Sequence, residues 1–475
     1  MLNTESPPTA DEEFDVIVLG GGPAGSTLAT LVAMQNHRVL LLERERFPRY
    51  HIGEGLLPGT VHGIGSLLGV RDELLAANFM RKDGGSFRWG TKAEPWNFRF
   101  DQSVTLSSIG FTYSYQVERS KFDHILLNNA RRKGVDVREQ HAVTDVLLEG
   151  DRAVGVRFTE PDGEKRTAKA RYVVDASGQR SPFHKHAGER VTSKFFQNVA
   201  LFCYYRDGKR QPAPRQGNGL GAAFDCGWFW YIPLSDTITS VGVVISHEHF
   251  EKLKRPHEEA MQDFIDSCPI IKDYLSEATR VTEGDYGKFR VIKDYSYCNT
   301  KFWMPGMVLI GDAACFVDPL FSTGVHLATY SGLLAARSIN TCLGNQLDEA
   351  PSFEEFEKRY RIEYNNFHDF LVSFYDLHQE KDSYFWMARK VLNCDEPPSE
   401  AFARLAAGDC SQFGSQADHA VPRTFQAMVN VTETERAQIA LQAHRGEDRP
   451  AEAPLFEGGL VPSKDGLHWM QAATA

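Results

Sequence analysis

Phe14-Asp15-Val16-Ile17-Val18-Leu19-Gly20-Gly21-Gly22-Pro23-Ala24-Gly25 is the stretch that decides the fold. Its first half is a short apolar run, which is typical of a strand buried in a parallel sheet. Its second half contains a G-x-G-x-x-G turn, and the small apolar residues of 26–34 predict a helix directly after it. Residues 38–43 are apolar up to a final acid and predict a second strand. The stretch therefore predicts a βαβ unit, the building block of a doubly wound α/β fold.

The glycines and the acid of this unit have separate physical roles. Gly20 permits a tight turn, Gly22 lets the backbone approach a pyrophosphate, and Gly25 lets the helix pack closely on the strand. The start of the helix adds free N–H groups and the positive end of its dipole. Glu43 can accept hydrogen bonds from ribose hydroxyls, which disfavours the 2′-phosphate of NADP. The unit predicts FAD or NAD, bound by Gly20, Gly22, Pro23, Ala24, Gly25, Glu43 and Arg44.

The composition limits the classes of protein to which the chain could belong. A length of 475 residues suits two or three packed units. The formal net charge of −11 argues against sequence-independent binding of nucleic acid, which needs a basic surface. Residues 1–13 lack the apolar core of a signal peptide and are predicted to be disordered, and no run of about 18 apolar residues could span a membrane. The eight cysteines form no C-x-x-C pair, so neither a metal site nor a disulfide framework is predicted, and a cytoplasmic enzyme is expected.

Two later strand ends favour FAD over NAD. Residues 172–175 are apolar up to Asp175 and lead into the small-residue turn Ala176-Ser177-Gly178, which can lie against a cofactor. Residues 307–310 form another apolar run and lead into Gly311-Asp312, whose carboxylate can hold ribityl hydroxyls. Together with the N-terminal βαβ unit, these two strand ends resemble the corresponding motifs of the para-hydroxybenzoate-hydroxylase-type flavoprotein monooxygenases. The resemblance covers nearly all of the chain up to about residue 345.

This resemblance implies an α/β fold in which a Rossmann-like FAD-binding domain is interleaved with a β-rich substrate domain. Arg119, in Val-Glu-Arg-x-x-Phe-Asp, matches the position that supports FAD in that fold. The expected FAD-binding segments are about 14–85, 115–185 and 300–345, and the substrate-domain segments are about 86–114 and 186–299. A C-terminal helical region is expected over 346–475, with a loosely packed tail after Arg445.

Two helices outside the dinucleotide-binding unit bear on the site. Residues 73–81 are predicted to be helical up to the turn at Lys82-Asp83-Gly84-Gly85. Further along, aromatic residues recur at steps of three and four, which predicts one long helix packed on the main body. The residues of this aromatic face are Phe353, Phe356, Tyr360, Tyr364, Phe367, Phe370, Phe374 and Leu377.

Gly227-Trp228-Phe229-Trp230-Tyr231-Ile232-Pro233 sets the chain apart from the aromatic hydroxylases of the same fold. Alternate residues of a strand share a face, so Trp228, Trp230 and Ile232 would form one bulky wall. Taken alone, the run predicts an aromatic core strand that ends at Pro233. It also fits the W-x-W-x-I-P motif of the flavin-dependent halogenases, which the hydroxylases lack.

Further matches to the flavin-dependent halogenases lie in register along the chain. Lys82, in Phe-Met-Arg-Lys-Asp-Gly, resembles the active-site lysine of that family. Residues 318–326 resemble its flavin- and halide-proximal loop, and residues 49–58 resemble its early flavin-contacting loop. Residues 374–376 and 382–386 are similar to the C-terminal segment of the phenol and pyrrole halogenases.

The resemblance also implies a reaction. FADH2 and O2 would give a flavin C4a-hydroperoxide, and chloride would attack its distal oxygen to yield hypochlorous acid. Lys82 would donate a hydrogen bond to this oxidant or be chlorinated itself, while Trp228 and Trp230 would keep the substrate ring from the flavin. His326 is interpreted as a packing histidine. The implied FAD contacts are Gly53, Glu54, Arg119, Asp175, Gly178, Gly311, Asp312, Pro319, Gly324 and Val325, and the implied halide contacts are Ser322, Thr323 and Gly324.

One departure from the family pattern narrows the expected substrate. Tryptophan halogenases carry a glutamate just before the Ser-Thr-Gly of the halide loop, whereas this chain carries Phe321. The chain therefore resembles the branch that chlorinates phenols or pyrroles in natural-product biosynthesis, either free or tethered to an acyl- or peptidyl-carrier protein. Because a single dinucleotide fingerprint is present, a separate flavin reductase is expected to supply FADH2.

Two other functions fit the same sequence. A single-component aromatic hydroxylase would reduce its own FAD with NAD(P)H and would need no halide. A catalytically silent flavin-binding or carrier-docking scaffold would bind FAD and would never chlorinate a general probe. Product analysis with and without chloride separates the three functions.

Overall fold

The computed structural model describes residues 12–91, 94–293, 295–409, 454–456 and 458–472. In chain order, the strands are β1 (Glu12–Leu19), β2 (Val39–Glu43), β3 (Met80–Lys82), β4 (Gly84–Arg88), β5 (Trp96–Arg99), β6 (Ser114–Gln116), β7 (Asp136–Glu139), β8 (Ala142–Glu149), β9 (Arg152–Thr159), β10 (Lys165–Asp175), β11 (Arg190–Thr192), β12 (Asn198–Arg206), β13 (Gly219–Phe224), β14 (Gly227–Pro233), β15 (Ile238–Ser246), β16 (Thr279–Arg280), β17 (Arg290–Lys293), β18 (Tyr297–Asn299), β19 (Trp303–Met304), β20 (Met307–Leu309), β21 (Cys315–Phe316), β22 (Leu460–Pro462) and β23 (Trp469–Gln471). The α-helices are α1 (Pro23–Ala33), α2 (Gly65–Leu68), α3 (Arg71–Ala76), α4 (Val104–Ser108), α5 (Arg119–Arg132), α6 (His257–Asp266), α7 (Pro269–Tyr274), α8 (Thr323–Leu343), α9 (Glu349–Phe374), α10 (Lys381–Leu392) and α11 (Pro398–Ala406).

The predicted βαβ unit is confirmed and lies at the centre of the first sheet. The sheet runs in the order β19-β20-β10-β1-β2-β7, with β8 and β9 added beside β10. Strands β20, β10, β1, β2 and β7 are parallel, so their carboxyl ends meet at one edge. Residues 16–19 of β1 and all of β2 are buried, and helix α1 packs on both strands and against α5 and α8. This is the doubly wound arrangement in which ligands bind at the carboxyl ends of the strands.

The second large sheet is built from the expected substrate-domain segments. It runs β16-β12-β15-β14-β13-β4-β5, with β17 beside β12. The two faces of β14 pack into different cores, as the period of two predicts. Trp228 and Trp230 belong to the large core shared with the first sheet. Phe229 and Tyr231 belong to a separate core on the other face, formed with α6 and α7.

The long aromatic helix is also confirmed. Helix α9 extends from Glu349 to Phe374, and its aromatic face is buried against the main body. Helices α8 and α9 pack side by side, and α10 packs on α11. None of the helices among the described residues is long and apolar enough to cross a membrane.

Three predictions need correction or lie outside the described residues. The helix expected over 73–81 ends at Ala76, and Met80–Lys82 is a strand paired with β6, because Lys82 and its neighbours form a backbone ladder there. The tail that was expected to be loosely packed contains the hairpin β22–β23. Two contacts hold this hairpin in place: Trp469 is buried, and the Leu460 N–H donates to the Glu355 carboxylate at 2.9 Å. The rest of that tail, over 446–453, and the N-terminus before Glu12 lie outside the described residues.

Candidate functional site

Three strand ends that are far apart in sequence meet at the carboxyl edge of the first sheet. The Ala176 N–H donates to the Leu19 carbonyl at 3.0 Å, and the Ile310 N–H donates to the Asp175 carbonyl at 3.0 Å. A Cβ at Gly311 would lie 3.0 Å from the Cβ of Ala24. The glycine turn, the Asp-Ala-Ser-Gly turn and the Gly-Asp turn therefore form one surface.

The glycine turn has the geometry that a pyrophosphate requires. Gly20 has φ +103°, and a Cβ at Gly25 would lie 2.0 Å from the Gly20 carbonyl oxygen, so both positions exclude a side chain. The space in front of Gly22 is open, since the nearest atom to a Cβ there is Nη2 of Arg49 at 3.6 Å. The first N–H groups of α1 have no partner within the helix and face this opening. These residues fit the diphosphate of FAD.

The carboxylates at this edge differ in what they offer a ligand. Glu43 accepts from the N–H groups of Gly21 at 2.7 Å and of Glu45 at 2.8 Å, which holds it under the glycine turn. Asp175 accepts from the N–H and hydroxyl of Ser177, so it shapes its own turn, which carries Gly178 at φ +82°. Asp312 is half-buried, and no described side chain or N–H group donates to its carboxylate. Burial raises the pKa of Asp312 to about 6. Asp312 is therefore the carboxylate free to hold ribityl hydroxyls.

Arg119 contacts and supports the loop of residues 49–58, which resembles the early flavin-contacting loop of the family. It is buried and makes a bidentate ion pair with Asp123, at 2.7 and 2.9 Å. Its third contact is a hydrogen bond to the Ile52 carbonyl at 2.7 Å, next to Gly53 at φ +100°. Arg119 thus supports the loop. Of the other predicted cofactor residues nearby, Arg44 is exposed.

Glu54 points away from solvent into a tyrosine cluster. It accepts from the Tyr204 hydroxyl at 2.8 Å, and the Tyr50 and Tyr204 hydroxyls are 2.7 Å apart. Burial raises the pKa of Glu54, opposed by the hydrogen bonds from Tyr204 and from Ser240. Since its carboxyl group is bound to other side chains, Glu54 orients the flavin loop through its backbone rather than through a free side chain.

The predicted halide loop closes at the N-terminus of α8. Ser322 adopts a left-handed conformation with φ +59° and makes no side-chain cap, which leaves the first N–H groups of the helix uncapped. Thr323 is buried and Gly324 is half-buried at this helix end, where a Cβ at Gly324 would lie 2.8 Å from the ring of Phe316. A helix N-terminus of this kind favours an anion. Pro319 and Val325 flank the loop within the chain.

Two carboxylates secure the halide loop. Asp318 is fully buried and accepts from the Leu320 N–H at 3.0 Å and the Tyr375 hydroxyl at 2.8 Å. Burial raises the pKa of Asp318 to about 7. His326, one turn into α8, is buried with its Nε2 2.9 Å from Glu363, which agrees with its interpretation as a packing histidine.

Lys82 is buried without an acidic partner among the described residues. It is 7 % exposed, and its Nζ donates to the Leu56 carbonyl at 3.2 Å and lies 6.0 Å from the centre of the Phe100 ring. Burial lowers the pKa of Lys82 to about 8. The neighbouring Arg81 is exposed, so only one of the two basic side chains on β3 faces the interior.

The interior between Lys82 and the halide loop is lined by polar atoms without partners. Ser114 is the cross-strand neighbour of Lys82, and Gln116 lies two residues further along β6 on the same face. The Ser114 hydroxyl and the Gln116 Oε1 are both buried without a hydrogen bond. Gly55 separates Gln116 from the halide loop, because a Cβ there would lie 3.2 Å from Gln116 Oε1 and 2.2 Å from the Ser322 hydroxyl. A polar path thus connects Ser322 to Lys82.

The tryptophan wall, formed by Trp228 and Trp230, is connected to the halide loop by hydrogen bonds. The indole N–H of Trp228 donates to the Tyr375 hydroxyl at 2.8 Å, and this hydroxyl donates to Asp318. The indole N–H of Trp230 donates to the Ser240 hydroxyl at 3.1 Å. The wall is therefore anchored at both tryptophans.

The sequence model of the family described as tryptophan halogenase matches residues 15–112 and 102–438. The chain belongs to the flavin-dependent halogenases. It is 57% identical to the myxobacterial chondrochloren halogenase CndH, an FAD-dependent halogenase whose structure superposes with a TM-score of 0.78 over 97% of this chain and 100% of that one. It is 34% identical to a tryptophan 2-halogenase of Chondromyces crocatus, over 80% of this chain and 71% of the relative. It is 30% identical to a 1H-pyrrole-2-carbonyl-[peptidyl-carrier protein] chlorinase of Pseudomonas fluorescens, over 78% of this chain and 85% of the relative.

The halogenase thus uses FAD and a halide, and its fold brings the predicted residues into three groups. The glycine turn, Glu43 and the turns after β10 and β20 lie at the edge of the first sheet. The halide loop lies at the N-terminus of α8. Lys82 lies inside the molecule between β3, β6 and the flavin loop.

Some contacts at the site of this halogenase were not predicted from the sequence, although Arg49 and Tyr375 lie in segments that the sequence singled out, 49–58 and 374–376. Arg49 lies next to Gly22, and Ser114 and Gln116 lie beside Lys82. Tyr375 joins the tryptophan wall to the halide loop. Ser114 and Gln116 carry no motif of their own; their alternation with Tyr115 on a short strand is the one signal that could have placed them on the same face as Lys82.

Proposed function

We propose that this halogenase chlorinates an electron-rich aromatic ring, a phenol or a pyrrole, and that Lys82 delivers the oxidant to it. The observation that carries the proposal is Lys82 itself, an ammonium group that is buried with no carboxylate partner among the described residues. Such a group is costly to keep in the interior, and buried groups with displaced pKa values concentrate at functional sites.

The substrate class is supported by the surroundings of Phe321. Its ring lies 4.8 Å from that of Phe374 and 5.5 Å from that of Phe87, centre to centre. A free amino acid brings an ammonium and a carboxylate, which need charged or hydrogen-bonding partners when they leave water. Aromatic rings offer none, so we infer an uncharged ring as substrate. The carrier-bound pyrrole of the Pseudomonas fluorescens chlorinase is a ring of this kind, presented as a thioester on a carrier protein.

The proposed roles follow the path between the halide loop and Lys82. Reduced FAD supplies the two electrons with which O2 and chloride yield hypochlorous acid. The N–H groups at Thr323 and Gly324 hold the chloride by the positive end of α8. The polar atoms of Gln116 and Ser114 give the oxidant hydrogen-bond partners on its way inward. Lys82, with its pKa near 8, donates a hydrogen bond to the oxidant or carries the chlorine on its amine.

The partners of the reaction belong to the same proposal. We infer a separate flavin reductase as the source of FADH2, because the sequence has one G-x-G-x-x-G unit and this unit would be taken up by FAD. We also infer that the ring is presented either free or on an acyl- or peptidyl-carrier protein. A single-component hydroxylase is the alternative, and it would give product without chloride.

Chlorination assays with the Lys82→Ala variant test the central role. The halogenase is supplied with flavin reductase, NADH, O2 and chloride, and offered free phenols, pyrroles and tryptophan beside carrier-bound tyrosyl, benzoyl and pyrrolyl groups. Mass spectrometry is expected to find the chlorine isotope pattern on a phenol or pyrrole and none on free tryptophan. The Lys82→Ala variant is expected to lose more than about 99% of product while it keeps FAD binding and flavin reoxidation, since the oxidant still forms.

Arg81→Ala is the matched control, because Arg81 is the exposed neighbour on the same strand, and it should retain chlorination. Product at a comparable rate from Lys82→Ala would refute the lysine role. Hydroxylated product in the absence of chloride would favour the hydroxylase.

A further inference from the structure

Two cysteines face each other across a pair of short strands beside the FAD turn. Cys298 on β18 is the register partner of Cys315 on β21. The next pair along the ladder is joined by the hydrogen bond from the Asn299 N–H to the Ala314 carbonyl at 3.0 Å. Hydrogen-bonded and non-hydrogen-bonded pairs alternate in an antiparallel ladder, so the cysteines form a non-hydrogen-bonded pair with Cα atoms about 4.5 Å apart. Disulfides join Cα atoms about 4.4 to 6.8 Å apart, so the backbone already permits a bond.

The two thiols have different chemical environments. Cys298 is half-buried, and the Nη1 of Arg361 lies 3.5 Å from its sulfur. A hydrogen bond from the Cys315 thiol, followed by the charge of Arg361, lowers the pKa of Cys298. Cys315 is 1 % exposed, and burial raises the pKa of its thiol well above the usual range. One sulfur is thus partly exposed and more readily ionised than an ordinary thiol, while the other is buried and less readily ionised. A thiolate that is both reachable and stabilised is the form that oxidants attack.

The pair also lies next to the Gly311-Asp312 turn, which is proposed to hold the ribityl chain of FAD, and next to the halide loop. Cys315 is three residues after Asp312, and the Tyr297 hydroxyl, on the same strand as Cys298, donates to the Asp312 carbonyl at 2.5 Å. Phe316, the residue after Cys315, packs against Gly324 of the halide loop. Reduced flavin that reacts with O2 without completing halogenation releases hydrogen peroxide, so the halogenase itself generates an oxidant near these thiols.

We propose that Cys298 and Cys315 form an oxidation site that hydrogen peroxide converts into a disulfide. The Cys298 thiolate attacks one peroxide oxygen, an S–O bond forms as the O–O bond breaks, and the departing hydroxide takes a proton to become water. Cys315 then gives up its proton and its sulfur attacks the sulfur of Cys298. The S–S bond forms as the S–O bond breaks, and the leaving hydroxide takes that proton as a second water. The two thiols lose the two electrons that the peroxide gains.

Peptide mapping of the full-length, FAD-loaded halogenase tests the proposal. The protein is treated with one equivalent of hydrogen peroxide, without halide, reductase or substrate, and its free thiols are blocked with N-ethylmaleimide. Trypsin separates the two cysteines, because Lys301 lies between them and places them in residues 294–301 and 302–337. Non-reducing mass spectrometry is expected to find these peptides linked in most chains and released by dithiothreitol. Since no halide is present, this result is independent of the proposed chlorination.

Two variants test the role of each cysteine, and a third serves as a control. Cys298→Ser should abolish the linked peptide, and Cys315→Ser should leave Cys298 as a sulfenic acid that dimedone traps. Cys226 is the matched control, because it is also half-buried and its sulfur lies 3.0 Å from the Nζ of Lys252, yet it faces none of the other cysteines that the structure describes. The Cys226→Ser variant should form the linked peptide as the wild type does. Full maleimide labelling of both Cys298 and Cys315 in peroxide-treated wild type would overturn the proposal, whether or not the variants fold.

Discussion

Lys82 is a buried charged side chain that lowers the free energy of unfolding of the protein. Its ammonium group is buried next to the Leu56 carbonyl and the Phe100 ring, with no acid among the described residues to balance it. Burial lowers its pKa from 10.5 to about 8, so the folded protein holds this proton less tightly than the unfolded chain does. A group of this kind destabilises the fold at neutral pH.

The Lys82→Met variant should therefore be more stable than the wild type while it loses chlorination. Methionine fills a similar volume without the charge, and the pKa difference corresponds to about 3 kcal/mol in the free energy of unfolding at pH 7. Between pH 8 and 10.5 the folded wild type has released the proton while the unfolded chain still binds it, so wild-type stability rises with pH. The difference in the free energy of unfolding between the Lys82→Met variant and the wild type should therefore decrease as the pH rises through this range.

Urea denaturation of both proteins at pH 7 and pH 10 measures this difference, and Arg81→Met provides the exposed control. A variant less stable than the wild type at pH 7, or a difference that does not change with pH, would contradict the assignment of an unpaired buried ammonium.

At the scale of the element, strand β14 serves two cores at once. Trp228 and Trp230 face the large core that includes the halide loop, whereas Phe229 and Tyr231 face the core under α6 and α7. A chain of hydrogen bonds from Trp228 through Tyr375 to Asp318 joins the strand to the halide loop, and Tyr375 lies 147 residues after Trp228 in the sequence. These hydrogen bonds tie strand β14 to the halide loop, and we propose that its two tryptophans also keep the substrate ring from the flavin.

Replacing both Trp228 and Trp230 with leucine should allow oxidant to escape. The smaller side chains open the wall and remove the indole N–H that orients Tyr375. The ratio of free hypochlorous acid, trapped with monochlorodimedone, to chlorinated substrate is expected to rise several-fold at unchanged FAD affinity.

Phe229→Leu with Tyr231→Leu is the matched control on the opposite face of the same strand. Large-to-small changes in a core cost about 2 to 4 kcal/mol at each site, so both double variants should lose thermal stability. Only the tryptophan variant should change the ratio. An equal ratio in the two variants would mean that the wall is packing alone.

At the scale of the whole molecule, one dinucleotide-binding edge serves an enzyme that needs reduced flavin. The carboxyl ends of β1, β10 and β20 form that edge, and a second G-x-G-x-x-G turn is absent from the sequence. The expected substrate-domain strands β4 and β5 pack against the C-terminal helices, where the Trp89 indole N–H donates to the Phe374 carbonyl at 2.6 Å. Reduction and halogenation are thus expected on separate proteins.

The purified halogenase should consume NADH slowly, at least about 100-fold below the rate seen after a flavin reductase and FAD are added. NADH oxidation followed at 340 nm, with chlorinated product measured in parallel, checks this expectation. The reductase alone with FAD serves as the control. Rapid NADH turnover by the halogenase alone would show that it reduces its own flavin.

The outcomes at the helix before Lys82 and at the C-terminal tail show the limits of local sequence signals. Residues 73–81 have helical composition, yet the ladder between Met80–Lys82 and β6 imposes a strand, because pairing with a distant segment outweighs local propensity. The tail was expected to be loose because it lacks periodicity. Its hairpin β22–β23 is held by contacts with α8 and α9 that no local pattern encodes.

The sequence by itself determined the βαβ unit, the FAD edge, the alternation of β14 and the family, because these rest on glycine conformation, period-two patterning and short motifs. Tertiary structure alone decided that Lys82 is buried with no acidic partner in the described part of the chain, that Tyr375 joins Trp228 to Asp318, and that Cys298 faces Cys315. Each of these depends on the register between segments 17 to 147 residues apart. Chain neighbours set backbone preferences, but the partner, burial and pKa of a side chain are set by what the completed fold packs against it.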